Sequence, residues 1–206
     1  MSRDSLWEQL ENTLKDKITS FDGVAGLAVK SLTGGKNISI NGDEVFPTAS
    51  TIKIHVLAKL FSLQEEGEID LSARIRFTRN MYGAGSGVIH FLENDPEFTV
   101  LDVAILMMLA SDNTATNTCI DIAGMEGVND LIRDMGLSKT KLRRKMMDPK
   151  AINRGDENVS TPNELITMMD HLHNQKPSPK VSAQVLRIMS KPKSAYLNKA
   201  IGSTVV

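Results

Sequence analysis

The stretch from Pro47 to Phe61, Pro-Thr-Ala-Ser-Thr-Ile-Lys-Ile-His-Val-Leu-Ala-Lys-Leu-Phe, constrains the fold more than any other part of the chain. Ile52, Val56 and Leu60 recur at helical spacing, and Ile54, Leu57, Ala58 and Phe61 fill most of the remaining circumference. A helix that is apolar nearly all round belongs inside a protein, so the rest of the chain must wrap it. Thr48, Ser50 and Thr51 are helix-start residues placed where the apolar pattern begins. Lys53 follows Ser50 by three positions and shares its face one turn away. Burial leaves a Lys53 ammonium poorly hydrated, which lowers its pKa and makes the neutral amine accessible. Such an amine can take a proton from a nearby hydroxyl, and the helix start offers backbone N–H groups to a developing oxyanion. Ser50 therefore reads as an activated nucleophile with Lys53 as its base. A plain helix start with a lysine snorkelling to the surface satisfies the same residues. The S-x-x-K spacing recurs at Ser138–Lys141 and Ser190–Lys193, but Gly136 precedes the first and Pro192 interrupts the second, so neither opens a buried helix.

Upstream, residues 4–20 predict an amphipathic helix with Leu6, Leu10, Leu14 and Ile18 as its stripe and Ser5 with Glu8 as a capping box. Two strand-like runs, 24–32 and 37–46, flank Thr33-Gly34-Gly35-Lys36 and predict a hairpin. The nucleophile helix ends near Gly67. Residues 68–98 read mostly as connection. Within them Tyr82-Gly83-Ala84-Gly85-Ser86-Gly87-Val88-Ile89 lacks the preceding strand and closing lysine of a phosphate loop, so a tight turn beside a site is expected. Thr99 and Asp102 cap an apolar helix at 100–110, which stops at Ser111-Asp112-Asn113. A helix resumes at Thr114, carrying Asn117 and a Cys119 expected to be a buried small hydrophobe, and another runs from Gly127 to Met135. Residues 137–160 form a long polar loop whose cations Lys141, Arg143, Arg144 and Lys145 are read as solvated, with one arginine tied to Asp156. Thr161-Pro162-Asn163-Glu164 starts the next helix with a cap, a first-position proline and a box-closing Glu. A final helix is expected at 182–190.

Several functions are excluded. A net charge of −1 with both signs scattered argues against nucleic acid or an anionic membrane as partner. Aromatics make up 4% of residues, too few for a base-stacking surface. His171 and His173 point to different faces of their helix, which argues against a metal held by them; no cofactor is expected. One cysteine excludes an internal disulfide. The first residues show no apolar signal core and no stretch is long enough to span a bilayer, so the chain as written is expected to be cytoplasmic; removal of an export signal would leave the same sequence.

An activated serine needs a base, a proton carrier to the leaving atom and oxyanion donors. Ser111-Asp112-Asn113 lies in a break between helices, where a hydroxyl can relay a proton and an Asn amide can bind a substrate amide or orient the lysine. A plain helix cap is the alternative for Ser111 and Asn113. With these residues in hand, the chain resembles the penicillin-recognising serine hydrolases, specifically the class A β-lactamases and their penicillin-binding relatives, whose motif trio is S-x-x-K, S-D-N and K-T-G. Pro47–Lys53, Gly85–Ile89, Ser111–Asn117, Leu142-Arg143-Arg144, Gly155-Asp156-Glu157 and Thr161-Pro162 come in the family's order and near its spacings, over roughly residues 1–190. The resemblance implies Ser50 as nucleophile, Lys53 as base, Ser111 as proton relay and Asn113 as substrate-amide ligand. It implies an α/β (α+β) β-lactamase/transpeptidase-like fold, with a helical lobe inserted into an α/β lobe and the site between them. The domains expected are 1–47 (helix and hairpin of the α/β lobe), 48–192 (helical lobe, with the loop 137–160) and 193–206 (a tail leading toward further strands).

Two departures from the family pattern stand out. Class A β-lactamases carry a deacylating glutamate after the L-x-R segment, whereas Lys145-Met146-Met147-Asp148 has none, leaving Asp148 as the stand-in base. No K-T-G or K-S-G occurs, and Lys199-Ala200-Ile201-Gly202-Ser203 is a poor substitute. The α/β lobe is therefore expected to be incomplete, through truncation or through a second chain that completes the sheet. The leading expectation is an acyl-serine enzyme acting on a small β-lactam or a peptide amide, with weak deacylation. The alternatives are a non-catalytic penicillin-binding-like remnant and an esterase-like hydrolase using the same Ser50–Lys53 pair.

Overall fold

The structure, a computed structural model, describes residues 3–191. The tail from 193 onward, including Lys199–Ser203, lies outside them. The first helix, α1 (Arg3–Thr19), is already helical ahead of Ser5, so Ser5 lies in its first turn and not at its cap. Its expected stripe is only partly covered, with Leu6 and Leu10 left 51% and 41% exposed. The hairpin forms from β1 (Leu27–Lys30) and β2 (Asn37–Ile40), antiparallel with Leu27 opposite Ile40. Both strands are shorter than expected because the apolar residues that extended the pattern, Val24, Leu32 and Val45, sit exposed to water.

A two-residue strand, β3 (Phe46–Pro47), leads into a 3-10 turn at Ala49–Ile52 and then α2 (Lys53–Glu66). Gly67, at φ 78°, closes α2 in the left-handed region, which glycine enters without a Cβ clash. The connection that follows holds β4 (Arg74–Arg76) paired antiparallel with β5 (Glu97–Thr99), which the sequence hid because Arg74-Ile75-Arg76 has a single apolar residue. The next helix, α3 (Val100–Leu109), begins with the capping box expected: Thr99 Oγ1 accepts from Asp102 N at 3.0 Å and the Asp102 carboxylate accepts from Thr99 N at 3.2 Å. The order is completed by α4 (Asn113–Ala123), α5 (Met125–Asp134), α6 (Pro149–Asn153), β6 (Val159–Ser160), α7 (Pro162–His173) and α8 (Pro179–Met189). Helix α4 starts one residue before the expected Thr114, with Asp112 as its cap.

At the centre lies α2. Ile52, Val56, Leu57, Ala58 and Leu60 are 0% exposed, and α3, α4, α5 and α8 all pack against the helix. Each fully buried large aliphatic stabilises by about 1.5–3 kcal/mol, which outweighs the absence of a side-chain cap at Ile52. Cys119 belongs to this core, and burial pushes its thiol pKa up. The hairpin is backed by α7: Ile38 is 1% exposed, and Lys30 of β1 pairs with Asp170 of α7 at 2.6 Å. That backing supplies the apolar cover a lone hairpin lacks.

Three asparagines hold the loop 137–160. Asn129 bonds both backbone groups of Leu142, at 2.9 Å each, and Asn117 bonds those of Met146 at 3.1 and 2.7 Å. Asn158 Oδ1 accepts from the N–H groups of Arg143 and Arg144, and its Nδ2 donates to Arg144 O. Each side-chain amide thus stands in for a neighbouring strand. The loop ends in β6, paired with β3 so that Phe46 faces Ser160, next to the turn that carries Ser50. Thr161 and Pro162 start α7 as expected, but the Glu164 carboxylate accepts from Lys139 N and Thr140 N, so it anchors the loop and leaves the box half made. Asp156 pairs with Arg154, outside the basic cluster; Arg144 pairs with Glu157 at 2.6 Å and Lys145 with Asp121 at 2.5 Å. Among the described residues no group of His, Cys, Asp and Glu is arranged to hold a metal, and no helix is long and apolar enough to cross a membrane.

Candidate active site

Ser50 lies exposed in the 3-10 turn and follows Ala49 at φ 45°. Left-handed backbone at a non-glycine residue is uncommon and is strained by roughly 1–3 kcal/mol. Thr48 holds the turn in place, its N–H donating to Asn158 O at 2.8 Å and its Oγ1 to the same oxygen at 3.1 Å. The clamp that shapes the loop 137–160 therefore also seats Ser50.

Lys53 is 1% exposed and points at the break between α3 and α4. Its Nζ donates to Ser111 O at 2.8 Å and to Ser111 Oγ at 2.9 Å, with Asn113 Oδ1 at 3.5 Å. Ser111 Oγ is in turn 2.8 Å from Ser50 Oγ. The sequence placed Lys53 and Ser50 side by side on one helix; the link the structure makes between them runs through Ser111. Ser111 reaches Lys53 with both its carbonyl and its hydroxyl from a left-handed backbone, φ 51°. Burial lowers the Lys53 pKa from 10.5 to about 8, against the opposing pull of the Asp112 carboxylate. Roughly a tenth of Lys53 is then neutral at pH 7, against a few parts in ten thousand for an exposed lysine. An amine, a hydroxyl and a second hydroxyl in series can pass a proton from Ser50 toward Lys53.

The sequence marks Asp112 only as one of three turn and cap residues; the structure makes it the cap of α4 and gives it further partners. It is 0% exposed, and its Oδ2 accepts from Val88 N at 2.6 Å and Ile89 N at 2.9 Å while Oδ1 accepts from Ala115 N at 2.9 Å. One carboxylate caps α4, pins the glycine-rich segment and sets a negative charge near Lys53. Because Asp112 does the capping, Ser111 and Asn113 are free to turn toward Lys53, and the plain-cap alternative for them does not hold. A Cβ on Gly87 would lie 2.4 Å from Asp112 Oδ2, so only glycine permits this approach. The segment is the tight turn expected beside the site: Asn113 N donates to Ser86 O at 2.8 Å and Asn113 Nδ2 to Ala84 O at 2.9 Å.

Met146 and Met147 lie on the loop beside this wall. Met146 is 9% exposed and joins the core, whereas Met147 is 48% exposed at φ 57°. Asp148 follows, its Oδ1 accepting from Lys150 N at 3.0 Å and Ala151 N at 3.1 Å as the cap of α6.

A serine on the turn into a central helix, a buried lysine one turn on and an S-D-N break facing both belong to a helix-and-sheet fold of the β-lactamase/transpeptidase type. The chain superimposes on a β-lactamase from Sphaerobacter thermophilus with a TM-score of 0.82 at 29% identity, covering 92% of this chain and 70% of that one. Residues 8–203 match the sequence profile of the Beta-lactamase enzyme family, and the chain belongs to that family. Beta-lactamase CARB-3 of Pseudomonas aeruginosa is 28% identical over 170 residues, 82% of this chain and 59% of that protein. A second solved structure, PBP-A, gives a TM-score of 0.80 at 28% identity over 91% of this chain and 69% of its own, and a single-site variant of PBP-A is an acyl-enzyme complex with penicillin G. The chain thus spans about 59% of the length of the curated relatives it matches first.

Proposed function

We propose that this chain is a serine acyl-enzyme of the class A β-lactamase type, taking a β-lactam or a related peptide amide onto Ser50 and releasing it slowly. The observation that carries this reading is the hydrogen-bonded series Ser50 Oγ–Ser111 Oγ–Lys53 Nζ, at 2.8 and 2.9 Å, ending in a buried amine with a pKa of about 8. As Ser50 Oγ attacks the carbonyl carbon, its proton moves to Ser111 and the Ser111 proton to neutral Lys53. The C–N bond then breaks, and Lys53 returns a proton through Ser111 to the leaving nitrogen. Backbone N–H groups at the start of the helix hold the oxyanion, and Asn113 takes the substrate's side-chain amide.

Release needs a water deprotonated near the ester. Met146 and Met147 have no proton-accepting group of that strength. Asp148 is occupied as the cap of α6, which argues against it as that base. A long-lived adduct follows. Incubation with penicillin G and intact-mass measurement should show one adduct per chain in the native sequence and none in Ser50→Ala. An adduct on Ser50→Ala overturns the assignment.

A further inference from the structure

We infer that Asn41-Gly42 is a site of spontaneous covalent modification, where Asn41 sheds ammonia and part of the product rejoins the chain through the side-chain carboxyl, as isoaspartate. Of all the asparagines in the chain, Asn41 alone is followed by glycine. The fold imposes both halves of the pair. Asn41 lies in left-handed backbone, φ 49°, a region asparagine enters more readily than most side chains. Gly42 is buried, and a Cβ there would collide with Ser39 Oγ and sit 2.5 Å from Asn163 Oδ1, so the close approach of the hairpin's end to α7 admits only glycine. The turn thus retains a pair whose chemistry works against it.

Asn41 is exposed to water, and the Gly42 N–H has no acceptor among the described residues. Glycine also brings no side chain to shield its nitrogen. As base removes the amide proton, Gly42 N closes on Asn41 Cγ, the Cγ–Nδ2 bond breaks and Nδ2 leaves as ammonia. Water then opens the cyclic imide at either carbonyl. Opening at Cγ gives aspartate, and opening at Asn41 C gives isoaspartate, whose main chain carries an extra methylene. Water is consumed and ammonia released, with no oxidant or cofactor. Asp22-Gly23 could close the same ring with loss of water, but its Gly23 N–H is already donated to Phe21 O at 3.0 Å. Either product at Asn41 removes the donor that its Nδ2 presents to Ala25 O at 2.8 Å, beside the start of β1. Isoaspartate also displaces Gly42, whose carbonyl accepts from Asn163 N at 2.9 Å, next to the Ser39 Oγ–Asn163 Oδ1 bond of 2.9 Å. The hairpin thereby loses ties both to its own entry and to the helix that backs it.

The test ages the native chain at 37 °C at pH 7 and pH 9, beside the same chain unfolded in guanidinium chloride. Peptide mass follows each asparagine, and methyl transfer from labelled S-adenosylmethionine by an isoaspartate-specific methyltransferase reads the isoaspartate. In the folded chain conversion should be greatest in the peptide spanning Asn41-Gly42, quicker at pH 9, and matched by methyl acceptance there. The aged chain should melt roughly 2–8 °C below the fresh one, the shift that lost hydrogen bonds give in a chain of this size. Asn41→Gly, which suits the left-handed backbone, should accept no methyl group in that peptide and should not lose melting temperature on ageing. Asn41 left intact in the folded chain, whether or not the unfolded sample converts, overturns the inference. So does faster conversion at another asparagine within residues 3–191 of the folded chain.

Discussion

Lys53 is held in a place that suits its neutral form, and this has consequences for both rate and stability. Acylation should rise with pH through an apparent pKa near 8, set by burial, and rate measurements from pH 6 to 9.5 would show it. Lys53→Ala should slow acylation on the order of a hundred- to ten-thousand-fold, as general-base loss does, whereas Lys59→Ala on the same helix should leave it near native. Equal rates for the two would count against Lys53. The stability effect has a definite sign. Between about 8 and 10.5 the unfolded chain keeps a proton that the folded chain has released, so folding stability rises with pH across that window. Below it the full penalty applies, roughly 3 kcal/mol before the bonds to Ser111 are counted. Lys53→Met should therefore lose acylation yet unfold no more easily than the native chain at pH 6. A strongly destabilised Lys53→Met would show that the bonds to Ser111 outweigh desolvation. At this scale the meeting of Ser50, Lys53, Ser111 and Asn113 could be anticipated, because two of them open an apolar helix and two sit in a break between helices. Asp112 could be read as a cap residue but not as the anchor of the glycine-rich segment, since its partners Val88 and Ile89 are backbone groups that leave no mark in a sequence.

At the scale of elements, α2 carries a second misfit group. His55 is 0% exposed, neither ring nitrogen has a partner at full hydrogen-bonding geometry among the described residues, and burial lowers its pKa to about 4 against a weaker upward pull from the Ile52 backbone. The unfolded chain protonates near 6.5 and the folded one does not, so stability should fall as pH drops from 6.5 to 4. Urea unfolding of the native chain and His55→Leu at pH 7 and pH 5 measures this. The native chain should lose roughly 2 kcal/mol relative to the variant between the two conditions, and parallel losses would remove His55 as the cause. The loop 137–160 depends on its asparagine clamps. Asn117→Ala leaves the N–H and carbonyl of Met146 unpaired and should destabilise by about 1–3 kcal/mol. Faster amide exchange at Met146 would localise the effect, and unchanged exchange there would deny the clamp a role. The long apolar helices α2 and α3 were readable from periodicity. The clamps were not, because each joins residues far apart by a side-chain amide, and β4 with its single apolar residue offered no alternation to read.

For the molecule as a whole, the order of motifs pointed to the fold type, while the hairpin's dependence on α7 appeared only in three dimensions. Slow release is the property that would set such a protein apart from a fast β-lactamase. Met146→Glu or Met147→Glu puts a carboxylate on the wall of the site, and adduct decay should quicken on the order of tenfold or more in at least one of them. Decay followed by intact mass checks this, and rapid turnover by the unaltered chain would defeat the premise.

The left-handed backbone of Ser111, φ 51°, sets activity and robustness against each other at one position. Glycine there would relax the backbone by on the order of 1 kcal/mol while deleting the hydroxyl between Ser50 and Lys53. Ser111→Gly should accordingly keep or raise the melting temperature and abolish relay, and Ser111→Ala should abolish relay with no such gain. At this one position backbone relaxation and catalysis pull in opposite directions, and a screen that rewards thermal endurance alone would not protect the hydroxyl.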